Sequence, residues 1–242
     1  MTDLGEGKLK KALIWVCLFA FVLCLTGIAA HAQDTSKMSL FAGYAYLNNN
    51  WGNGCIAACL LGGPSTQLHG YSASVAYNFN NHIGMEANFA GHNGSPTLFY
   101  TPATATLNGS TQTEAQDFYT YTFGPKITQP IGKFALFGHF LVGAAHGHES
   151  FTDTCLQSSG SGSTCSSPFT SSSHGNGFAF KTGAGADWNH GLWGIRILEV
   201  DYVHASTYVT ETTSGSQQPT SFSISGNNFE LSTGVTFHFG TR

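Results

Sequence analysis

The sequence predicts an all-β chain: an eight-stranded antiparallel up-and-down β-barrel that crosses a membrane. Three observations carry that expectation. Short segments alternate apolar and polar residues along the chain, which is the two-residue period of a strand with one oily face and one polar face. The connectors between them alternate, short then long. Only 9% of residues are charged while 13% are aromatic, far from the roughly 25% charge of an ordinary soluble domain.

The elements follow in order. Ser39–Asn48 is apolar on both faces and opens the set. Tyr71, Ala73, Val75, Tyr77 and Phe79 alternate with small or polar residues, and Ile83, Met85, Ala87 and Phe89 do the same. Tyr119, Tyr121 and Phe123 mark a fourth strand. Phe134, Leu136, Phe140 and Val142 share one face of a fifth, with Ala135, Phe137, His139 and Leu141 opposite. Phe178, Phe180, Ala184, Ala186 and Trp188 oppose Lys181 and Asp187 in a sixth; Leu198, Val200 and Tyr202 oppose Glu199 and Asp201 in a seventh. The last, Asn227–Gly240, sets Phe229, Leu231, Val235, Phe237 and Phe239 against Glu230, Ser232, Thr236 and His238.

Asn80-Asn81, Gln129–Gly132 and Asn189–Gly191 have the residues of tight hairpin turns. The segments Asn49–Gln67, His92–Gln116, Glu149–Asn176 and Thr207–Gly226 are expected as long loops, rich in Ser, Thr, Gly and Asn. Short turns at one end and long loops at the other is the layout of bacterial outer-membrane barrels. A soluble sandwich or lipocalin-like barrel is the competing fold. The Tyr, Phe and Trp on the apolar faces favour the membrane, where such residues form girdles.

Residues 1–32 have the features of a cleavable export signal. Lys8, Lys10 and Lys11 precede an uncharged apolar run, and Ala30-His31-Ala32 is an A-x-A cleavage site. The domain is then expected over 33–242. Removing the leader takes three of nine basic and two of thirteen acidic residues, leaving six against eleven, a net charge of −5. Such a balance argues against nucleic acid as a partner, which calls for a basic face. Four cysteines remain: Cys55, Cys59, Cys155 and Cys165. Export favours disulfides. The local pairs Cys55–Cys59 and Cys155–Cys165 are the simplest of three connectivities.

Several blocks resemble the small outer-membrane β-barrel family, OmpA-like or OmpX-like. They are SLFAGYAYL at 39–47, KFALFGHFLVGAAH at 133–146, FAFKTGAGADWN at 178–189, IRILEVDYVHAS at 195–206 and NNFELSTGVTFHFG at 227–240. The resemblance implies a single-domain barrel in the outer membrane, with outer-membrane lipid and the barrel assembly machinery as partners. It implies that Phe239 is the terminal aromatic read by that machinery, although Gly240-Thr241-Arg242 follow it.

Extending the strand parity inward collects Glu86, Lys126, His139, Lys181, Asp187, Glu199, Asp201, Glu230 and His238 as a polar network inside the barrel. Charges there must pair or hydrate. The expected pairs are Lys181 with Glu199 or Asp201, and Lys126 with Glu86. Arg196 has outward parity, so it either snorkels to headgroups or is turned inward by a bulge. A structural plug is the preferred reading of the network, and a narrow ion channel the alternative. His146-Gly147-His148 puts two imidazoles on one face, too few for a metal site. His204-Ala205-Ser206, with Glu211 beyond, faintly resembles the His-x-Ser of a lipid A deacylase. A surface lipid hydrolase is the second alternative; the preferred reading is not an enzyme and calls for no cofactor. Trp51, Phe99, Tyr100, Phe151, Phe169 and Tyr208 lie in or near the long segments, where an extracellular ligand would bind.

Overall fold

The computed structural model describes residues 36–49, 66–95, 97–101, 108–156, 169–213 and 220–240. The expected leader, Trp51, Cys55, Cys59 and Cys165 lie outside the described residues. The chain forms nine strand segments: β1 Met38–Asn49, β2 Thr66–Asn78, β3 Ile83–Gly94, β4 Thr97–Thr101, β5 Gly109–Ile131, β6 Phe134–Leu156, β7 Phe169–His190, β8 Trp193–Thr213 and β9 Thr220–Phe239. Both β3 and β4 pair with β5, so β4 continues the same stave beyond a break at 95–96. Nine segments therefore make eight staves, each antiparallel to its neighbours. β1 pairs with β2 on one side and with β9 on the other, from Met38↔Phe239 to Asn48↔Phe229. That last pairing closes the sheet on itself over Met38–Asn48 and Phe229–Phe239, so the first and last strands are not left as open edges there.

The outer wall is what alternation predicts. Tyr71, Val75, Tyr77, Tyr121, Phe123, Phe140, Val142, Phe178, Val200, Phe229, Leu231, Val235 and Phe237 all point away from the interior and are exposed. Exposure of this kind on every stave is the surface a bilayer covers. Aromatic and imidazole groups bound the apolar belt at both ends. Trp188, His190 and Trp193 pack together near the short turns. Tyr44, Tyr46, His69, Tyr119, His146 and His204 sit toward the other end.

The second and third tight turns are shorter than expected, and the first, 79–82, is longer than Asn80-Asn81. Gln129 and Pro130 still pair with Leu136 and Ala135, which reduces the second turn to Gly132 and Lys133. Gly132 and Gly191 take φ of 58° and 67°, a backbone conformation that favours glycine. In the first turn Asn80 Oδ1 accepts from the backbone N–H of His82 and Ile83 at 2.8 and 2.7 Å.

The long segments correct the sequence-based expectation. Much of three of the four is strand: His92–Gly94 belongs to β3, Glu149–Leu156 to β6, Phe169–Asn176 to β7 and Thr207–Thr213 to β8, while of Asn49–Gln67 only Asn49, Thr66 and Gln67 are described, all in strands. Phe99, Tyr100, Phe151, Phe169, Tyr208 and Cys155 are accordingly strand residues. Ser and Thr misled the reading, because Thr is a good strand former when a neighbour supplies a ladder. β6 is 23 residues long and β7 22, whereas a tilted crossing needs about 9–11. Roughly half of these staves therefore extends past the belt.

Closure depends on close approach at one register position, where Gly43 faces Gly234. A Cβ on Gly43 would lie 2.1 Å from the Thr233 carbonyl oxygen and 2.8 Å from Gly234 Cα. Gly43→Val should therefore abolish the heat-modifiable gel shift that a closed barrel shows. A variant that migrates as wild type before and after boiling would show that the close approach is dispensable.

Candidate functional site: a charged layer inside the barrel

The inward faces divide the labour. β1 and β2 present Gly43, Ala45, Gly70, Ser72, Ser74 and Ala76, which leave space. Long side chains from the other staves reach across into it. Lys181, on β7, places Nζ 2.9 Å from both carboxylate oxygens of Glu230 on β9, 3.0 Å from Asn88 Oδ1 on β3 and 3.6 Å from Asp201 Oδ2 on β8. Lys126 on β5 lies 2.9 Å from Glu86 Oε2 on β3.

His139 on β6 joins these groups. Its Nε2 is 3.0 Å from Asp201 Oδ1, and its Nδ1 is 3.5 Å from Glu86 Oε2 and 3.7 Å from Glu199 Oε1. Charges this far from water are held by partners, and stripping a partner from a buried pair costs about 3–5 kcal/mol.

Arg196 belongs to this layer. The β7–β8 register slips between Ala186 and Asp187, and the β8–β9 register between Arg196 and Glu199. The extra residue turns Ile197 and Leu198 both outward, where both are exposed, and sends Arg196 inward to 1% exposure. Its Nε donates to Asp187 Oδ1 at 2.9 Å and its Nη1 to Glu199 Oε2 at 3.0 Å. The guanidinium lies between the rings of Phe41 and Phe137, at 4.0 and 4.3 Å from their centroids. Two adjacent apolar residues at 197–198 were the available sequence signal.

Eight of the nine residues expected inside meet in one network: Glu86, Lys126, His139, Lys181, Asp187, Glu199, Asp201 and Glu230. His238 does not join their ion pairs. It is half-buried at the short-turn end, 3.0 Å from Asn189 Oδ1 and 3.3 Å from Ser36 Oγ. Lys181 takes Glu230 as its main partner, with Asp201 more distant. The expectation omitted Glu230 because sequence distance hides which strands β7 faces across the lumen.

An apolar layer closes the charged one on the long-segment side. Leu47, Leu68, Phe118, Ala145, Ala179, Val203 and Ala205 form one buried cluster. Parity reasoning assigned inward positions to polar residues and passed over this layer. Beyond it the extended strands carry further acids inside. Glu114 on β5 accepts from Gln116 Nε2 and neighbours Glu149 on β6. Burial, with the Glu149 carboxylate beside it, pushes Glu114 up to about 8.

The remaining candidates face outward. His146 Nδ1 is 2.7 Å from Asn176 Oδ1, and its ring stacks near Tyr119. His148 stands opposite His174. His204 Nδ1 is 2.7 Å from Asn227 Oδ1, which also accepts from the Tyr202 hydroxyl at 2.6 Å. Cys155 is disulfide-bonded.

No family model matches the chain, and no curated protein matches it. Solved structures that it is similar to include Ail, the attachment invasion locus protein of Yersinia pestis. That similarity has 18% identity and a TM-score of 0.42, covering 84% of this chain and 99% of Ail. The outer membrane protein OprG from Pseudomonas aeruginosa is similar at 13% identity and a TM-score of 0.48, over 87% and 99% of the two chains. The outer membrane protease OmpT from Escherichia coli is similar at 9% identity and a TM-score of 0.40, over 88% and 99%.

Glu114 gives this region a pH dependence of defined sign. A carboxyl held at about 8 in the fold, against 4.5 when unfolded, is tolerated neutral and resists ionising. Its cost is absent at pH 4, grows as pH rises between those two values, and is complete above the higher one. Glu114→Gln should therefore unfold at the same temperature as wild type at pH 4 and at a higher temperature at pH 9. Equal midpoints at both pH values would show that Glu114 ionises freely.

Proposed function

We propose that this chain is an exported outer-membrane barrel whose role is structural: a sealed membrane wall that carries extended β-strands beyond the outer surface. The observation that supports this best is the filling of the lumen. Lys126, Lys181 and Arg196 are each bonded to carboxylates inside it, and the apolar cluster from Leu47 to Ala205 lies above them. Eight staves leave room for packed side chains and little more. Outer-membrane lipid covers the aromatic belt, and the assembly machinery inserts the chain. The extended part of β6 is braced by a disulfide at Cys155, with Cys165 the nearest candidate partner in sequence. The extended segments of β5 to β9 are the place for an extracellular ligand, because binding concentrates on segments held out by a rigid scaffold.

Two other functions fit less well. A narrow channel would need the ion-paired layer and the apolar layer to part. A lipid hydrolase would need His204 to serve Ser206 as a base, but His204 is engaged with Asn227 and stacks on Phe180 at 5.2 Å between centroids.

The purified barrel in planar bilayers should give no stable conductance steps of nanosiemens size. Steps of that size, abolished by closing variants of the lumen, would replace the structural role with transport.

A further inference from the structure

We infer that the charged layer is built to hold one divalent transition-metal ion, zinc foremost, between Glu86, His139 and Glu199. Three observations meet at that point. One ligand atom from each of the three residues lies within 4.8 Å of the others, and all three residues are buried. Glu86 Oε1, Glu199 Oε1 and His139 Nδ1 have no hydrogen-bond partner despite that burial, an expensive condition for polar atoms out of water. The charges of the layer also fail to balance. Glu86, Asp187, Glu199, Asp201 and Glu230 supply five negative charges against three permanent positive ones from Lys126, Lys181 and Arg196, an excess of two.

The spacing suits a metal. His139 Nδ1 stands 3.5 Å from Glu86 Oε2, the oxygen that Lys126 also holds, and 3.7 Å from Glu199 Oε1. Ligands about 2.1 Å from a tetrahedral ion are about 3.4 Å apart. The surroundings hold each ligand in place. Lys126 grips Glu86 at Oε2, 2.9 Å away. Arg196 and Ser232 hold Glu199 at Oε2, 3.0 and 2.5 Å away, leaving Oε1 for the ion. On the imidazole, Nε2 lies 3.0 Å from Asp201 Oδ1. An N–H donated there leaves the Nδ1 lone pair facing the two glutamates, the carboxylate–histidine–metal relay that orients ligands in zinc sites.

One imidazole and two carboxylates form a borderline donor set that accepts zinc and its first-row neighbours. A divalent ion cancels the excess of two negative charges. A proton on His139 cancels only one. The ion is therefore a structural pin joining β3, β6 and β8 through the middle of the membrane span, independent of any surface ligand.

The full mature chain, refolded with and without zinc sulfate and then washed with a chelator, tests this by metal analysis. Refolding is the loading step because the site is sealed. The folded wild type should retain one zinc per chain. His139→Asn and Glu199→Gln should reduce retention to background, and Asp201→Asn should weaken binding by about 10- to 100-fold. A triple His146, His148 and His174 to Asn variant should keep its zinc. Folded wild type that holds no zinc after loading overturns the inference, as does zinc lost only in the triple surface variant. If the His139 and Glu199 variants do not fold, cobalt loaded into wild type decides. Intense visible bands of tetrahedral cobalt uphold the site, and weak octahedral bands overturn it.

Discussion

In hydrocarbon no water is available to backbone N–H and C=O groups, so every one of them must be bonded within the protein. The β1–β9 ladder meets that requirement for the last two open rows, and the other features of the chain follow from it. A ring of eight staves has an inside that is narrow and an outside that is oily. Side chains that alternate along a strand are thereby sorted into two solvents. The glycine pair at Gly43 and Gly234 lies on this closing ladder, where bulk would keep the first and last strands apart.

Once the ring is closed, inward charges cannot leave, and their pairing governs the interior. The bulge in β8 is the device that makes pairing work. Without it Arg196 would point into lipid while Asp187 and Glu199 faced a lumen poorer by one cation. With it, the guanidinium bridges both acids and is sandwiched between Phe41 and Phe137. The arrangement is layered: a charged band across the membrane span, an apolar cluster above it, then acids within the extended strands. Two negative charges remain in the band, and they converge on the three residues proposed to hold a metal.

The wall was legible in the sequence. Phe229, Leu231, Val235 and Phe237 alternate cleanly, whereas Ser39–Asn48 is apolar on both faces and its parity came only from pairing with them, as Asn48, Tyr46, Ala42 and Leu40. The tight turns were legible to within three residues, because Asn80, Gly132 and Gly191 have local chemistry that needs no tertiary context. Parity also assigned inward positions to Glu86, Lys126, His139, Lys181, Asp187, Glu199, Asp201 and Glu230. Three things were not legible, each for a physical reason. A bulge adds one residue and reverses parity, so a regular count placed Arg196 outside. Pairing across the lumen depends on shear and side-chain reach, so Lys181 could be matched to Asp201 but not to Glu230. Strand continuation into Ser- and Thr-rich segments depends on a neighbouring strand, which a single-segment reading lacks.

The inward turn of Arg196 is where register, charge pairing and packing meet. Solid-state NMR of the chain in lipid bilayers, with labelled arginine side chains and labelled Asp and Glu carboxyls, measures it directly. Strong nitrogen–carbon dipolar contact between the Arg196 guanidinium and the carboxyl carbons of Asp187 and Glu199, with no dephasing by lipid phosphorus, is the expected result. Dephasing by lipid phosphorus without those carboxyl contacts would place Arg196 at the headgroups and contradict the bulge, the ion-paired layer and the sealed interior together.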